Sequence, residues 1–429
     1  MSVLIGAQMH AQQEERPYSL EEGTSTELAK IQPLLDANNP TAALAIVNAY
    51  IDKVQANSYD MAVLLQVKAQ LLLQANRLQE GIEPLERCLA LSDAHNPPYF
   101  EARVTQDFVY FLAQLYFQEA TSTKDEKLAS AYFDKAEAGM ARWTDTASNP
   151  GAEPLMFYAS LLFNRATQEG STTDFARVDK ALSLVDRALL LDARPKENLY
   201  VLKLACMLQK EKYAEAAEIL EFLLQRKPEN SSYWQQLVAI YLSLGQEVRA
   251  VLAMERAQSH GFMNTPKDNY NLVGVYFNMA HYGKAADLLE AGLKRGTLDN
   301  DLKNWELLSF SYQQLKREFK SIDALNRAIV AHPTAGQLDY AVAQAYFGLN
   351  RKADAIRHAK DAVRKGNLKN PDQAYLFVAY LSFEAGDFQD ALEATDKAIA
   401  YPESKEKGSK MKSAILDAIA EREAKLQKM

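Results

Sequence analysis

The stretch WQQLVAIYLSLGQEVRAVLAMERA, residues 234–257, decides the fold of this chain. It opens with the bulky ring of Trp234, has an apolar residue three positions later, and reaches Tyr241 after four more. Small residues follow at Ala250 and Ala257. We interpret the stretch as a helix A that carries the large residues and a helix B whose small residues let the two helices pack closely.

The same pattern occurs six times between Glu197 and Tyr401, at a period of 34 to 36 residues. The six copies are recognised at Tyr200, Trp234, Leu272, Trp305, Val342 and Tyr375, where Leu272 and Val342 stand three residues after the first position of their copies. Self-similarity at this period is typical of stacked two-helix units, because each unit is too small to bury its own apolar face. We therefore predict six units in phase over residues 197–402.

The pattern is weaker in residues 25–196, which we predict to form divergent hairpins of the same kind. Residues 67–88 fit one unit, and longer hairpin loops are predicted at 121–127 and 168–177. Residues 403–429 are predicted to form a charged amphipathic helix, which suits the terminal cap that a repeat array needs. The chain would then hold about nine or ten helix pairs in total.

The repeated pattern resembles the tetratricopeptide repeat, whose signature is W-x2-L-G-x2-Y followed by A-x3-F-x2-A and Pro. The resemblance implies an all-α, right-handed superhelical solenoid of about nine or ten antiparallel helix pairs with a C-terminal capping helix. It also implies a scaffold for protein–protein interaction rather than an enzyme. Pro228, Pro333 and Pro402 each close a unit, where a missing amide does not harm a helix that is already ending.

Composition and motifs argue against several other classes of protein. The net charge of −8 is spread along the chain, which argues against a broad nucleic-acid surface. No run of eighteen apolar residues is present, so we predict no membrane span. Neither a phosphate-binding Gly-rich loop nor a metal spacing of Cys or His occurs, and we predict no cofactor, no metal and no catalytic residue. Cys88 and Cys206 are interpreted as buried packing residues.

The N-terminal segment, residues 1–24, has two open interpretations. Residues 2–7 are apolar and are followed by the polar run Gln12 to Arg16, as at the end of a secretory signal. The segment would then be the remnant of a signal peptide whose true start lies upstream, and the protein would be periplasmic. The alternative is a disordered N-terminus of a cytoplasmic protein.

The tetratricopeptide resemblance also implies a peptide-binding groove, because in that family the A helices line a concave surface through fixed positions. Rings interleaved with amides suit an extended or helical peptide. An error of one residue in the repeat phase would instead place several of these rings in packing between repeats. The matching positions here are Lys267, Tyr270, Phe277, Asn278, Lys303, Phe310, Gln313, Gln314, Gln337, Tyr340, Gln344, Phe347, Gln373, Tyr380 and Phe383, with Glu306 and Leu376 among them.

A narrower resemblance concerns residues 233–295. The runs Ala253-Met254-Glu255-Arg256-Ala257 and His260-Gly261-Phe262 look similar to proteobacterial tetratricopeptide proteins found alongside TonB–ExbB–ExbD systems. This resemblance implies a periplasmic accessory protein that contacts components of such a system. The alternative is a cytoplasmic or envelope-assembly scaffold for secretion or pilus machinery. The sequence leaves the partner and the oligomeric state open.

Overall fold

The computed structural model describes residues 17–168 and 172–426. Every regular element in these ranges is helical, with α-helices, one turn of 3-10 helix and no β-strand. The predicted all-α helical repeat is therefore confirmed. The chain divides into two compact units between Ala216 and Ala217, inside one helix. Each unit is described by itself.

The first unit consists of consecutive helices that pair with their neighbours along the chain. Helix α4 packs on α5, α6 on α7 and α8 on α9, and short connections make each pair antiparallel. The helices are α1 (Glu22–Ala29), α2 (Ile31–Asp36), α3 (Pro40–Ile51), α4 (Tyr59–Gln74), α5 (Leu78–Asp93), α6 (Ala102–Ser122), α7 (Glu126–Thr146), α8 (Ala152–Ala166), α9 (Phe175–Leu191), α10 (Glu197–Gln209) and the first turn of α11 (Tyr213–Arg226).

An apolar core runs from α4 to α10 of the first unit, with Leu155, Leu161 and Leu162 fully buried in it, and a separate smaller cluster joins α2, α3 and α4. Cys88 and Cys206 belong to the same core and form no disulfide. Burial raises the pKa of each thiol to about 12. Both cysteines are therefore protonated packing residues at neutral pH, as their interpretation from sequence required.

The structure refines two predictions for the first unit. Residues 1–16 lie outside the described residues, so the signal remnant stays a prediction. The rest of the N-terminal segment contacts the first unit, since Tyr18 donates a 2.7 Å hydrogen bond to the carbonyl of Pro97. The hairpin loop predicted at 121–127 is shorter, because α6 extends to Ser122 and α7 begins at Glu126. Asp125 caps α7 by accepting hydrogen bonds from two backbone amides, so the extra residues lengthen the helices.

The second unit continues the alternation with greater regularity. We call α12, α14, α16, α18 and α20 the A helices, and the helix after each one is its B helix. The helices are α12 (Ser231–Ser243), α13 (Glu247–Ser259), α14 (Pro266–Asn278), α15 (Tyr282–Arg295), α16 (Leu302–Gln314), α17 (Glu318–Ala331), α18 (Gly336–Gly348), α19 (Lys352–Lys365), α20 (Pro371–Glu384), α21 (Phe388–Ile399) and α22 (Lys405–Leu426), with a 3-10 turn at Pro402–Ser404.

Small residues lie where the A and B helices of the second unit cross. Ala250, Ala285, Ala355 and Ala391 are each fully buried there, so that the backbones approach closely. The hairpin α16–α17 has Ser321 at this position. Its hydroxyl lies 2.8 Å from the hydroxyl of Ser309, which satisfies two buried polar groups that would otherwise destabilise the hairpin.

A three-residue turn joins every A helix of the second unit to its B helix. The third residue's amide donates to a carbonyl five residues earlier, as from Gln246 to Tyr241 at 2.8 Å. A left-handed middle residue is a common way to end a helix and reverse the chain. The middle residues and their φ angles are Gly245 (66°), Ala280 (58°), Lys316 (56°), Asn350 (58°) and Gly386 (77°).

Substitutions in two of these turns are expected to have opposite effects on stability. Gly245→Ala should lower the free energy of unfolding by about 1 kcal/mol, because a Cβ disfavours the left-handed conformation. No atom lies within 4 Å of the position of that Cβ, so the effect is conformational. Ala280→Gly should raise the same quantity by up to about 1 kcal/mol. Urea denaturation of both variants tests this, and a shift of equal sign would contradict it.

Helix α22 ends the described chain and packs against α21. Ile415 is fully buried and Met411 is half-buried, whereas Leu416 on the predicted apolar side is exposed. The rest of α22 presents charged residues to solvent. This polar outer face is what a terminal helix of a repeat array needs.

Candidate functional site

The candidate site is the face of the second unit formed by the A helices α14, α16, α18 and α20. Local sequence determines where these helices begin. Thr265 and Asp268 form a reciprocal capping box at α14, and the Asp301 carboxylate accepts the amide of Asn304 at α16. Pro371 opens α20 at a position where a missing amide costs nothing. The A helices therefore begin at corresponding positions of successive hairpins.

A first aromatic cluster lies between α14 and α16 and consists of Phe277, Tyr282 and Phe310. The ring centres of Phe277 and Phe310 are 5.5 Å apart, and Tyr282 lies 5.2 Å from Phe277. Phe310 keeps 43% of its surface exposed. Nearby, the ammonium of Lys303 lies 4.2 Å from the ring centre of Tyr270, a cation–π contact. The cluster offers an apolar surface beside a positive charge.

A second aromatic cluster lies between α18 and α20 and consists of Tyr340, Phe347, Phe377 and Tyr380. Phe347 contacts Phe377 and Tyr380 edge-on at 5.5 and 5.9 Å, and Tyr340 contacts Phe377 at 5.8 Å. Phe347 and Tyr380 remain 36% and 37% exposed. Burial raises the pKa of Tyr340, with the charge of Asp372 adding to the effect. The ring surfaces are thus held by their neighbours and still open to solvent.

Amide side chains occupy the interval between the two clusters. Gln313 on α16 donates a 3.3 Å hydrogen bond to the Ser321 hydroxyl, and Gln344 on α18 is exposed. Gln337 accepts the backbone amide of Lys369 at 3.0 Å. The face therefore alternates ring, amide and ring along four successive A helices.

One ion pair joins hairpins that are not adjacent. The Lys369 ammonium lies 3.1 Å from both carboxylate oxygens of Glu306, although 63 residues separate them. Lys369 precedes α20 and Glu306 lies on α16, so the pair passes over the start of α18. The backbone amide of Lys369 is also bonded to Gln337 of α18, so the start of α20, α18 and α16 lie on one side of the stack, the side that the tetratricopeptide resemblance predicts to be concave.

Carbodiimide coupling is expected to join Lys369 to Glu306 through an amide bond, because the ammonium and carboxylate are already in contact. The matched control is Lys352 with Glu384, an ion pair of 3.0 Å between adjacent hairpins. Mass spectrometry of the digested protein should detect both cross-links. Recovery of the control alone would contradict the placement of Lys369 beside Glu306 on this face.

None of the predicted groove residues is fully buried. Those classed as exposed are Lys267, Asn278, Lys303, Phe310, Gln314, Gln344, Phe347, Gln373 and Tyr380. Those that are half-buried are Tyr270, Phe277, Gln313, Gln337, Tyr340 and Phe383, together with Glu306 and Leu376. Three contributors were missed from sequence: Tyr282, Phe377 and Lys369, which occupy positions outside the rule that the resemblance supplied. The role of this face in binding stays a prediction.

Other tyrosines of the second unit are tied to the neighbouring hairpin. In α12, α14 and α16, the last tyrosine donates a hydrogen bond to a glutamate on the B helix of the preceding hairpin. The pairs are Tyr241 with Glu221 at 2.5 Å, Tyr276 with Glu255 at 2.7 Å, and Tyr312 with Glu290. Burial, then the bonded carboxylate, raises the pKa of each tyrosine to about 12. These hydroxyls stay protonated and connect hairpins, so they are not available to a ligand.

The second unit also contains a group of potential metal ligands and an open cleft. Asp339, His358 and Asp361 bring three potential metal-binding atoms to within 4.8 Å of one another, across α18 and α19. Trp234, Arg249 and Arg256 line an open cleft on the outer side of α12, between α11 and α13. In the described ranges, no helix combines the length and the apolar character that crossing a membrane requires.

Comparison with known proteins gives distant likenesses only. No family model matches the chain, and no curated protein matches it. A structure of MamA protein aligns at 17% identity and a TM-score of 0.33, over 41% of this chain and 94% of MamA. A tetratricopeptide repeat protein from Parabacteroides merdae aligns at 14% identity and 0.28, over 62% and 98% of the two chains. The APC/C hetero-tetramer Cut9-Hcn1 aligns at 14% and 0.29, over 92% and 78%. Likenesses this distant carry no argument about function.

Proposed function

We propose that this chain is a non-catalytic scaffold that binds an amphipathic peptide segment of a partner protein on the concave face of α14 to α20. The observation that carries the proposal is the pair of aromatic clusters whose rings are held in place and still exposed. Phe310, Phe347 and Tyr380 each leave more than a third of their surface in solvent. Exposed rings grouped on one concave face favour a binding surface over a core.

The chemistry of the face indicates what the peptide must carry. Apolar side chains of the peptide would cover the two clusters, each contributing roughly 1.5–3 kcal/mol for a fully buried ring. The amides of Gln313 and Gln344, between the clusters, can pair with backbone groups of the peptide. Lys303 favours an acidic residue near the first cluster, because no carboxylate within residues 17–168 and 172–426 pairs with its ammonium. Two fully buried rings give roughly 3–6 kcal/mol, so micromolar affinity, about 8 kcal/mol, needs further rings or the amide contacts as well.

The described side chains also favour a scaffold over an enzyme. Both thiols are buried with raised pKa values, so neither serves as a nucleophile. The concave face carries rings, amides and three lysines, and its acidic Glu306 is already paired to one of them, Lys369. The face offers apolar contacts and amide hydrogen bonds. Binding a peptide through these contacts needs no proton transfer.

Site-specific photo-crosslinking tests the proposal. A benzophenone amino acid in place of Gln344 lies between the clusters, whereas one in place of Asp323 lies on α17, a B helix. The benzophenone residue at position 344 should give one discrete cross-linked product. An excess of the protein without benzophenone should compete for the partner and abolish that product. The B-helix position should not give the same product. Equal cross-linking from both positions would overturn the proposal.

The partner we propose is a component of a TonB–ExbB–ExbD system, with this chain acting in the periplasm. The support is the similarity of residues 233–295 to tetratricopeptide proteins found alongside such systems, together with the signal-like residues 2–16. Fractionation of cells that express the full-length gene tests the location. A product confined to the cytosol would remove this partner and favour the alternative, a scaffold for secretion or pilus machinery.

A further inference from the structure

One hairpin of the second unit departs from its neighbours at three positions that lie together. Most of the other hairpins have an aromatic residue on the A helix, an alanine nineteen residues later and a basic residue three after that. These sets are Trp234, Ala253 and Arg256; Trp305, Ala324 and Arg327; and Tyr375, Ala394 and Lys397. In α18–α19 the same positions hold Asp339, His358 and Asp361.

The replacement changes the chemistry of a packed position. In α16–α17, the Arg327 guanidinium lies 5.2 Å from the ring centre of Trp305, so ring and cation pack together. In α18–α19, a carboxylate takes the place of the ring, an imidazole takes the place of the alanine and a second carboxylate takes the place of the cation. All three replacements are side chains that bind metal ions. A buried carboxylate costs free energy unless it is compensated, so its presence at a core position calls for a function or a partner.

The geometry fits a metal ion. One ligand atom from each of the three residues lies within 4.8 Å of the other two. The Asp339 Oδ1 and His358 Nδ1 atoms are 3.2 Å apart, and about 3.3 Å separates two ligands of a tetrahedral ion with bonds of about 2.0–2.1 Å. The side chains are sheltered, with 2% of Asp339, 14% of His358 and 29% of Asp361 exposed.

Three cations surround the site and leave one ligand atom of each residue unpaired by them; Arg357 Nη2 lies 3.4 Å from His358 Nε2, the ring nitrogen that faces away from Asp339 in this arrangement. Lys365 holds the other oxygen of Asp339, at 2.5 Å, and so orients the carboxylate with Oδ1 toward the imidazole. Arg364 contacts one oxygen of Asp361 and leaves the second. Tyr346 stacks on the His358 ring at 5.7 Å and fixes its plane. Groups that orient metal ligands in this way are a regular part of metal sites.

We propose that Asp339, His358 and Asp361 bind a divalent first-row transition metal ion between α18 and α19. The ion would take the place of the hydrogen bond between Asp339 and His358, and each carboxylate would bind it while its other oxygen stays paired with Lys365 or Arg364. One imidazole with two carboxylates suits zinc, manganese or iron. Because Tyr340 follows Asp339 directly, the ion also fixes the start of the helix that carries the second aromatic cluster. The proposal does not depend on the function proposed above.

Calorimetric titration of the tag-free, chelator-treated full chain with zinc chloride tests the site. One ion should bind per chain. His358→Ala restores the alanine of the other hairpins, and Asp361→Asn removes a charge at a partly exposed position; each should weaken zinc binding about tenfold or more. The matched controls are His260→Ala and Asp323→Asn, which lie outside the site and should bind zinc like the unchanged protein.

The outcomes separate cleanly. Circular dichroism shows whether each variant is folded. If His358→Ala does not fold, the zinc affinity of Asp361→Asn alone tests the site. Cobalt(II) gives a second readout, since inner-sphere binding should produce a visible absorption band that both site variants lose. Absence of zinc binding in the unchanged protein, or unchanged zinc affinity in folded Asp361→Asn, would overturn the proposal.

Discussion

Replacing Gly336 with alanine is expected to lower the free energy of unfolding by about 3 kcal/mol, the upper part of the range for overpacking. Gly336 is the first residue of α18 and is buried against the end of α19. A Cβ at this position would overlap the backbone oxygens of Ala362 and Gly366. Backbone cannot rotate away as a side chain can, so the two helices of this hairpin would have to separate. Urea denaturation followed by circular dichroism measures the loss.

The control for this prediction is a second glycine inside an A helix. At Gly274, in α14, an added Cβ would meet no atom within 4 Å. Gly274→Ala should therefore raise the free energy of unfolding by about 0.5–1 kcal/mol, since alanine favours the helix. If both variants shift stability in the same direction, the close approach of α18 to the end of α19 is not as described.

The double variant Tyr340→Ala with Phe347→Ala is expected to weaken peptide binding about 100-fold or more. Each ring contributes roughly 1.5–3 kcal/mol when a ligand covers it, and about 1.4 kcal/mol corresponds to a factor of ten. The two rings contact the same partner, Phe377, so their removal opens the second aromatic cluster. Titration with the peptide segment mapped by cross-linking at position 344 measures the loss.

The matched control is Phe319→Ala with Val330→Ala. These side chains are 66% and 83% exposed and lie on α17, a B helix. This variant should bind the peptide with unchanged affinity, which separates the concave face from apolar surface in general. Loss of helicity in the Tyr340 and Phe347 variant would show that those residues are structural, and unchanged affinity in a folded one would remove the second cluster from the site.

The sequence predicted the repeated hairpins well because their cause is local. Trp234 and Tyr241 are seven residues apart and therefore lie on the same face of one helix. Ala250 follows after so few residues that the two helices must be joined by a tight turn. The hydrogen bond from Tyr241 to Glu221 could not be predicted in the same way. Its partner lies in the preceding hairpin, and glutamates are frequent on every exposed helix face, so spacing alone does not select one.

The candidate face was predicted only in part, because some of its residues follow from the local repeat pattern and others from contacts between hairpins. Phe310 and Phe347 follow from repeat phase, which places them on one side of their helices. Phe377 and Lys369 contribute through contacts with α18 of the neighbouring hairpin, and such contacts depend on how successive hairpins pack. Repeat phase also places Asp339 at the position of Trp234 and Trp305, but its contacts with His358 and Lys365 required the structure.

Hydroxyl-radical footprinting with and without the bound partner tests the central claim, that the concave face of α14 to α20 is the docking surface. Oxidation of Phe310, Phe347 and Tyr380 should fall when the partner binds, while oxidation of the exposed Phe319 on α17 should not change. Protection of Phe319 with no change at the three concave rings would contradict the claim.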